Sequence, residues 1–177
     1  MDDFSIETHP FTPVLPPHAR VMMMGTFPPA AAKRCMAFHY PNFQNDMWRI
    51  YGLVFFNDAG HFQVAGEKRF DAGKIRDFLM AHNIALCPTV RRAVRERGNA
   101  SDKFLRIVEP VDLGAVLTQL PDCRWLFTTG GKATETLLSL LEPAPPMPPV
   151  NQAVAFDYHG RHLQLCRLPS SSRAYPL

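Results

Sequence analysis

The sequence predicts an α/β fold, a three-layer α/β/α sandwich around a mainly parallel central sheet. Apolar runs typical of buried strands occur at 20–25, 84–87 and 124–129, and segments with helical spacing of apolar residues lie between them. The 177 residues are 46% hydrophobic and contain no internal repeat, so the chain is long enough to bury one substantial core. We therefore expect a single domain over residues 1–177.

The first half of the chain begins with an arm and continues with alternating elements. Residues 1–19 contain four prolines and predict an extended N-terminal arm that wraps the surface. After the strand at 20–25, helices are predicted over 44–56 and 72–82, where apolar residues recur at helical spacing. Residues 84–87 then form a second short buried strand, which the following proline ends.

The second half repeats this alternation. It predicts a helix over 112–120, a strand over 124–129, a helix that follows Gly130-Gly131 and ends at Leu141, and paired strands over 153–158 and 161–167. Asp112 is well placed to cap the first of these helices. The proline-rich segment 143–149 predicts a stiff surface connection.

Composition argues against several classes of protein. No stretch approaches ~18 consecutive apolar residues, so no membrane span is predicted. The acidic start Met1-Asp2-Asp3-Phe4 lacks the pattern of a signal peptide, which favours the cytoplasm. The four cysteines are far apart and form no CxxC pair, which favours reduced thiols over an iron–sulfur or zinc cluster; they are Cys35, Cys87, Cys123 and Cys166.

Two short loops, each directly after a predicted strand, form the first candidate site. Residues 25–29 (Gly-Thr-Phe-Pro-Pro) follow the first strand, and residues 168–173 (Leu-Pro-Ser-Ser-Ser-Arg) follow the last. Loops that leave the carboxyl ends of neighbouring strands converge on the ligand crevice of an α/β sheet. We therefore expect the two loops to be two walls of one site.

Segment 38–48 mixes aromatic rings with amides and a carboxylate at the start of a predicted helix. Aromatic rings sandwich a flat heterocycle, and amides read its hydrogen-bonding edge, so the segment indicates a partly open pocket. Met47 and Trp48 are expected in the core instead. The remaining candidates are Phe38, Tyr40, Asn45 and Asp46.

Three further motifs have competing interpretations. Residues 88–106 carry six basic side chains against two acidic ones, which either attract phosphate or form a solvated helix face. Residues 129–132 (Thr-Gly-Gly-Lys) lack the spacing of a nucleotide phosphate loop, and no GxGxxG follows a strand, so no nucleotide cofactor is predicted. His159 and His162 flank a turn without a third ligand nearby, so no metal site is predicted.

Over about residues 20–176 the chain resembles the uracil-DNA glycosylase superfamily. Residues 25–29 are similar to that family's first motif, a Gly-x-x-Pro loop, and residues 168–172 are similar to its last motif, a Pro-Ser loop. Residues 41–48 resemble the Pro-x-Asn-x-Phe-Trp stretch of the mismatch-specific and hypoxanthine branches, with Asn45 and Trp48 in register.

The resemblance implies a monomeric DNA glycosylase that needs neither metal nor cofactor. Such an enzyme flips a deaminated base, hypoxanthine or uracil, from DNA and hydrolyses its N-glycosidic bond in base excision repair. Asn45 matches the catalytic asparagine of the hypoxanthine branch, and Asp46 is the reserve candidate. Phe38 or Tyr40 would stack on the base, and the first loop would wrap the flipped nucleotide through Gly25, Thr26, Phe27 and Pro28.

The implied DNA contacts come from the last loop and from the basic stretch. They are Pro169, Ser170, Ser171, Ser172, Arg173, Arg91, Arg92 and Arg95. The chain also departs from the family. Thr26 and Phe27 stand where many members carry an acidic residue or an amide, and the strand at 84–87 is not followed by the uracil-reading asparagine. Two alternatives therefore stay open: a catalytically silent relative that binds distorted or single-stranded DNA, and a small-molecule hydrolase on a similar sandwich.

Overall fold

The computed structural model describes residues 5–96 and 104–173. In chain order, the strands and helices are β1 (Ile6–Thr8), β2 (Val21–Met24), a 3₁₀ turn (Ala31–Lys33), α1 (Met47–Phe56), α2 (Ala72–Ala81), β3 (Ile84–Leu86), β4 (Val90–Arg95), β5 (Leu105–Pro110), α3 (Leu113–Thr118), β6 (Trp125–Thr129), α4 (Gly131–Leu138), β7 (Ala153–Tyr158) and β8 (Arg161–Leu168). Among the described residues, no helix has the length and apolar character that crossing a membrane requires.

The main sheet has the strand order β3-β2-β6-β8-β7. Strands β3, β2, β6 and β8 are parallel, and β7 joins the edge antiparallel to β8. Helices cover both faces: Met22 of β2 belongs to a buried cluster with Leu137 of α4, whereas Met23 belongs to a second cluster with Trp48 of α1. This arrangement confirms the predicted α/β class and its mainly parallel sheet.

A second, three-stranded sheet was not predicted from the sequence. It has the order β1-β4-β5, and both pairings are antiparallel. The interpretation of 88–106 as a helix face was wrong, because Val90–Arg95 and Leu105–Pro110 are strands. Buried Val90 and Ala93 pack with Leu105 beneath the basic side chains, so the stretch has an apolar face that its charges obscure in the sequence.

The N-terminal arm is extended, as predicted, but it also pairs with other strands and contributes to the core. Strand β1 pairs with β4, and Val14 exchanges two backbone hydrogen bonds with Leu86 at 2.9 and 2.8 Å. Val14 is 1% exposed and Ala19 is 0% exposed, so the arm contributes directly to the core. This placement carries the residues before Val14 past the carboxyl ends of the parallel strands.

Local capping sets the starts of two helices. Asp112 accepts a hydrogen bond from the Ala115 amide at 3.1 Å, which confirms the predicted cap of α3. Asp71 caps α2 in the same way through the Lys74 amide. All four thiols are free, as expected.

Arg161 fixes the turn that follows α3. Its guanidinium donates to the carbonyl oxygens of Leu117, Leu120 and Cys123 at 2.6, 2.8 and 2.9 Å. The last carbonyls of a helix have no partner within the helix, and here one planar cation satisfies several at once. The contact holds α3 against the first residues of β8.

We expect Arg161→Lys to lower the free energy of unfolding by about 2 kcal/mol, because a lysine ammonium does not reproduce the fork of donors. The matched control is Arg69→Lys, which alters a surface pair with Glu67 and is expected to cost less than ~0.5 kcal/mol. Urea denaturation of both variants measures the difference. Equal losses would show that the carbonyl cluster adds no stability.

Candidate functional site

A cavity of about 490 Å³ opens where the parallel strands β2, β3, β6 and β8 end. The loops after these strands, the segment before α1 and the N-terminal arm form its walls. Of the residues singled out from the sequence, the structure brings to this cavity Gly25, Thr26, Phe27, Pro28, Tyr40, Asn45, Ser170, Ser171 and Ser172.

The serine loop is attached to the start of α1 through backbone hydrogen bonds. The Asp46 amide donates to the Ser171 carbonyl at 2.9 Å, and Asn45 forms a β-bridge with Ser172. Segments far apart in the sequence are therefore held side by side. This pairing places the last loop and Asn45 on the same wall of the cavity.

The first loop approaches its neighbours so closely that Gly25 has no room for a side chain. A Cβ atom there would lie 2.9 Å from Tyr40 Oη and 3.4 Å from Thr129 Oγ1. These two hydroxyls are themselves 2.8 Å apart and hydrogen-bonded. The Gly25 carbonyl in turn accepts from the amide and the hydroxyl of Thr89 at 2.8 and 2.9 Å, which anchors the loop to the turn after β3.

Tyr40 lines the cavity from a strained backbone position. Its φ is 50°, in the left-handed region that residues other than glycine seldom adopt. The ring meets Trp48 edge to face, with ring centroids 5.8 Å apart. Trp48 is fully buried, as predicted, and donates its indole N–H to the His39 carbonyl at 2.9 Å. A core residue therefore supports the strained backbone at Tyr40.

Asn45 lines the cavity and lies two residues before the start of α1. Its Oδ1 accepts a hydrogen bond from the Met47 amide at 2.9 Å, which leads the chain into the helix. With that oxygen engaged, the orientation of the carboxamide is fixed. The Nδ2 hydrogens then supply donors, and the second lone pair of Oδ1 supplies an acceptor.

Asp46 does not line the cavity. Its carboxylate binds the guanidinium groups of Arg173 and Arg49, each at 3.0 Å. Partial burial opposes ionisation, but the hydrogen bonds and charges of Arg173 and Arg49 outweigh it and hold the pKa of Asp46 below its usual value. The reserve catalytic candidate is therefore a carboxylate that holds Arg173 against the start of α1.

Phe38 lies outside the cavity as well. It is 6% exposed and belongs to the core cluster of Trp48, with ring centroids 6.0 Å apart. The expectation that it stacks on a ligand is corrected, because the helix it packs against covers its ring. Of the two candidate stacking rings, only Tyr40 lines the cavity.

The three arginines of the basic stretch that were expected to bind DNA, Arg91, Arg92 and Arg95, have separate environments, and none lines the cavity. Arg91 is exposed, and Arg92 pairs with Glu109 at 3.7 Å. The Arg95 side chain is only 8% exposed, so the expectation that it contacts DNA phosphate is corrected.

Arg95 supports the first loop instead. Its guanidinium pairs with Glu7 at 2.8 Å, donates to the Pro28 carbonyl and lies over the Phe27 ring at 5.3 Å. Pro169 is exposed and stands beside the cavity rather than in its wall. Two further basic residues of the stretch, Arg97 and Lys103, lie outside the described residues.

The structure adds cavity residues that sequence reasoning missed. His9 and Phe11 come from the N-terminal arm, and His39 comes from the segment before α1. His39 stands inside the aromatic patch singled out from the sequence, so that patch was the available signal. Nothing in the arm's sequence marked His9 or Phe11, because only the pairing of β1 with β4 carries them to the cavity.

The cavity carries positive charge and neutral imidazoles. Lys33 and Lys132 are the charged residues among the described ones that line it, and neither Asp nor Glu is in its wall. Burial, followed by the neighbouring His39 ring, lowers the pKa of His9 to about 3, and burial lowers the pKa of His39 to about 4. Both imidazoles are therefore neutral near pH 7.

No protein-family model matches the sequence, and no curated protein matches it. The structure is similar to the solution NMR structure of a protein from Methanosarcina acetivorans that is provisionally described as a uracil DNA glycosylase. The TM-score is 0.66 at 22% sequence identity, and the match covers 96% of this chain and 87% of that chain. The likeness shows a shared fold over almost the whole chain.

We expect Gly25→Ala to destabilise the protein by about 1–3 kcal/mol, because the new methyl group would displace the Tyr40 hydroxyl from Thr129. Chemical denaturation measures the loss. The control is Gly73→Ala in α2, where the new Cβ meets only an ordinary contact at 3.6 Å and alanine favours the helix. A Gly25→Ala variant as stable as the control would contradict the close packing at the loop.

We also expect acid to destabilise the site within a defined pH window. The unfolded chain takes up protons on its histidines below about pH 6.5, whereas native His9 and His39 stay neutral until about pH 3 and 4. Stability is therefore lost as pH falls from about 6.5 to about 4 for His39 and about 3 for His9, by up to roughly 1.4 kcal/mol per pH unit for each imidazole.

His39→Gln removes one of these protonation sites and should flatten the slope in denaturation curves measured across that window. Gly73→Ala is the control, since it changes no titratable group and should keep the wild-type slope. A slope unchanged by His39→Gln would show that His39 is not buried as a neutral group.

Proposed function

We propose that the protein is a DNA glycosylase that accepts a deaminated base, uracil or hypoxanthine, in the cavity and hydrolyses its N-glycosidic bond. The observation that carries the proposal is the meeting of the first loop, Asn45 and the serine loop around one space of about 490 Å³. That volume is within the range of small-molecule sites and accommodates a flipped base. The motif resemblance and the shared fold support the same conclusion.

The walls of the cavity suit the backbone of DNA. Ser170 and Ser171 bring hydroxyl groups to the cavity wall, and hydroxyls commonly bind phosphate oxygens. Lys33 and Lys132 add positive charge at the same walls, without a carboxylate among the described lining residues to oppose it. In the proposed complex, these groups hold phosphates on either side of the flipped nucleotide.

The proposed reaction exchanges one bond for another. The bond from C1′ of the sugar to the base nitrogen breaks, and its electron pair leaves with the base. The oxygen of a water molecule bonds to C1′, and the proton that this water loses balances the charge of the departing base. The sugar passes through a cationic, oxocarbenium-like state, which the negative DNA phosphates stabilise.

Asn45 has two roles in this proposal. Because the Met47 amide fixes its carboxamide, the side chain is preorganised to hold the attacking water or to donate to the departing base. Amide donors of the first loop, at Thr26 and Phe27, would face the base and stabilise its developing negative charge. Preorganised donors of this kind stabilise a leaving anion without the need for a charged base.

The absence of a carboxylate from the described cavity wall favours a second candidate function. A positioned carboxylate commonly contributes to catalysis as an acid or a base, and no Asp or Glu in the wall takes this role. A catalytically silent relative would bind distorted or single-stranded DNA through the same cleft and release no base.

One panel of oligonucleotides separates these functions. Duplex and single-stranded DNA carrying uracil, hypoxanthine or xanthine is incubated with the protein and then treated with alkali, which breaks the strand where a base has been lost. Breakage at the uracil or hypoxanthine position is the expected result. Salt-dependent binding without breakage would select the silent relative, and absence of both binding and breakage would overturn both functions.

We expect Asn45→Ala to slow base release by at least ~10-fold, as loss of one preorganised group does in other enzymes. Single-turnover measurements of strand breakage provide the rate. The substitution also removes the oxygen that accepts from the Met47 amide, which costs about 1 kcal/mol. Asn45→Ser keeps an oxygen at that position and should lose the activity with a smaller loss of stability.

The matched control is Asp71→Ala, which removes the cap of α2 away from the cavity. It should lower stability by about 1 kcal/mol and leave the rate of base release unchanged. An Asn45→Ser enzyme as fast as wild type would remove Asn45 from its catalytic role.

A further inference from the structure

The N-terminal arm builds one wall of the cavity from a cluster of rings. The His9 ring lies 5.3 Å from Phe27, 5.5 Å from His39 and 5.8 Å from Phe11, measured between ring centroids. The amide of His9 donates to the Arg91 carbonyl at 2.7 Å, so pairing with the second sheet fixes the position of His9. His9, Phe11, Phe27 and His39 all line the cavity.

Hydrogen bonds assign the tautomers of the two imidazoles. The Phe11 amide donates to Nδ1 of His9 at 3.2 Å, so in the neutral ring Nδ1 is bare and Nε2 carries the hydrogen. Nε2 of His39 lies 2.9 Å from the Thr12 carbonyl. A carbonyl only accepts, so His39 carries its hydrogen on Nε2 and its Nδ1 is bare.

The two neighbouring rings therefore differ in what they offer a ligand. His9 has one N–H donor at Nε2, and His39 has one acceptor at Nδ1. The two imidazoles are neighbours, with ring centroids 5.5 Å apart and ring planes tilted by 34°. Burial keeps both rings neutral near pH 7, which preserves this pairing of one donor with one acceptor.

We propose that His9 and His39 read the lactam edge of the base, with His9 donating to a carbonyl oxygen and His39 accepting from the adjacent ring N–H. This inference rests on the proposed function and names the feature of the base that the site selects. Uracil and hypoxanthine share the O=C–N–H edge. Cytosine and adenine present an amine and a bare ring nitrogen there, which reverses donor and acceptor.

This reversal of donor and acceptor is the physical basis on which the site would discriminate between the bases. An amine facing the His9 N–H sets donor against donor, and a bare nitrogen facing His39 sets acceptor against acceptor. Polar groups left unpaired in a closed site are costly, so hydrogen-bond polarity discriminates more strongly than shape. The lysines at the cavity wall, in contrast, bind phosphate equally well beside any base.

The test measures binding separately from hydrolysis. Duplexes carrying a 2′-fluoro-deoxyuridine or a 2′-fluoro-deoxyinosine resist hydrolysis, and their affinities are compared with those of matched duplexes carrying cytosine or adenine at the same position. His9→Phe keeps a flat ring in the cluster and removes the N–H, so we expect the preference for the lesion to fall by ~10-fold or more. The control, His18→Phe, changes an exposed histidine and should keep the preference.

A second measurement tests the His39 acceptor. A 2′-fluoro duplex carrying 1-methylhypoxanthine lacks the ring N–H, so wild type should bind it ~10-fold more weakly than the hypoxanthine duplex. His39→Leu has no acceptor and should bind the two duplexes equally. His39→Gln keeps a donor for Thr12 and an acceptor, so it should restore the difference. Thermal unfolding shows which variants are folded.

The outcomes distinguish this inference from the proposed function. If wild type releases bases and His9→Phe keeps its preference for the lesion, the lactam-reading pair is overturned and the glycosylase stands. An equal penalty for the methylated base in wild type and His39→Leu also overturns it.

If wild type binds the lesion selectively without release, and His9→Phe loses that selectivity, the inference stands while hydrolysis fails. If wild type shows neither release nor lesion preference, both fall.

Discussion

The backbone pairing of Ser171 and Ser172 with Asn45 and Asp46 is the constraint on which the candidate site depends. It joins the end of the last strand to the start of α1, and so closes a cavity whose other walls are loops leaving the parallel strands. Backbone hydrogen bonds hold their partners in one geometry whatever the side chains are. The loop therefore stays in place beside Asn45, at the wall of the cavity.

Charge is distributed around the cavity according to how well each group is paired. Arg173 and Arg95 are engaged with Asp46 and Glu7, and both pairs brace loops rather than face the open space. The described wall contains two lysines and no carboxylate, together with imidazoles that burial keeps neutral. Such a wall suits a ligand that is negatively charged outside the cavity and has an uncharged, hydrogen-bonding group inside. A nucleobase on a phosphate backbone has both properties.

How well the sequence predicted an element depended on how far apart in the chain the residues that hold that element are. Helix α3 was predicted with its cap because Asp112 acts on an amide three residues away. The paired strands β7 and β8 were predicted because a short turn joins two strand-like runs. The sheet β1-β4-β5 was not, because β1 pairs with a strand more than eighty residues later and shows no strong alternation of its own. Arg95 was assigned to DNA because its charge is visible in the sequence, whereas its burial against the Phe27 ring is not.

The amino-acid sequence by itself determined the order of the main sheet's five strands and of the helices between them, the three-layer class and the two loops that reach one cavity. These features follow from the periodicity of apolar residues and from glycine and proline, which constrain the backbone conformation of residues next to them in the chain. Only the tertiary structure decided which side chains line that cavity. It buried Phe38, turned Asp46 towards Arg173 and carried His9 and His39 to the wall. The physical reason is that burial and pairing depend on neighbours that are distant in the chain, and the local pattern of residues does not encode them.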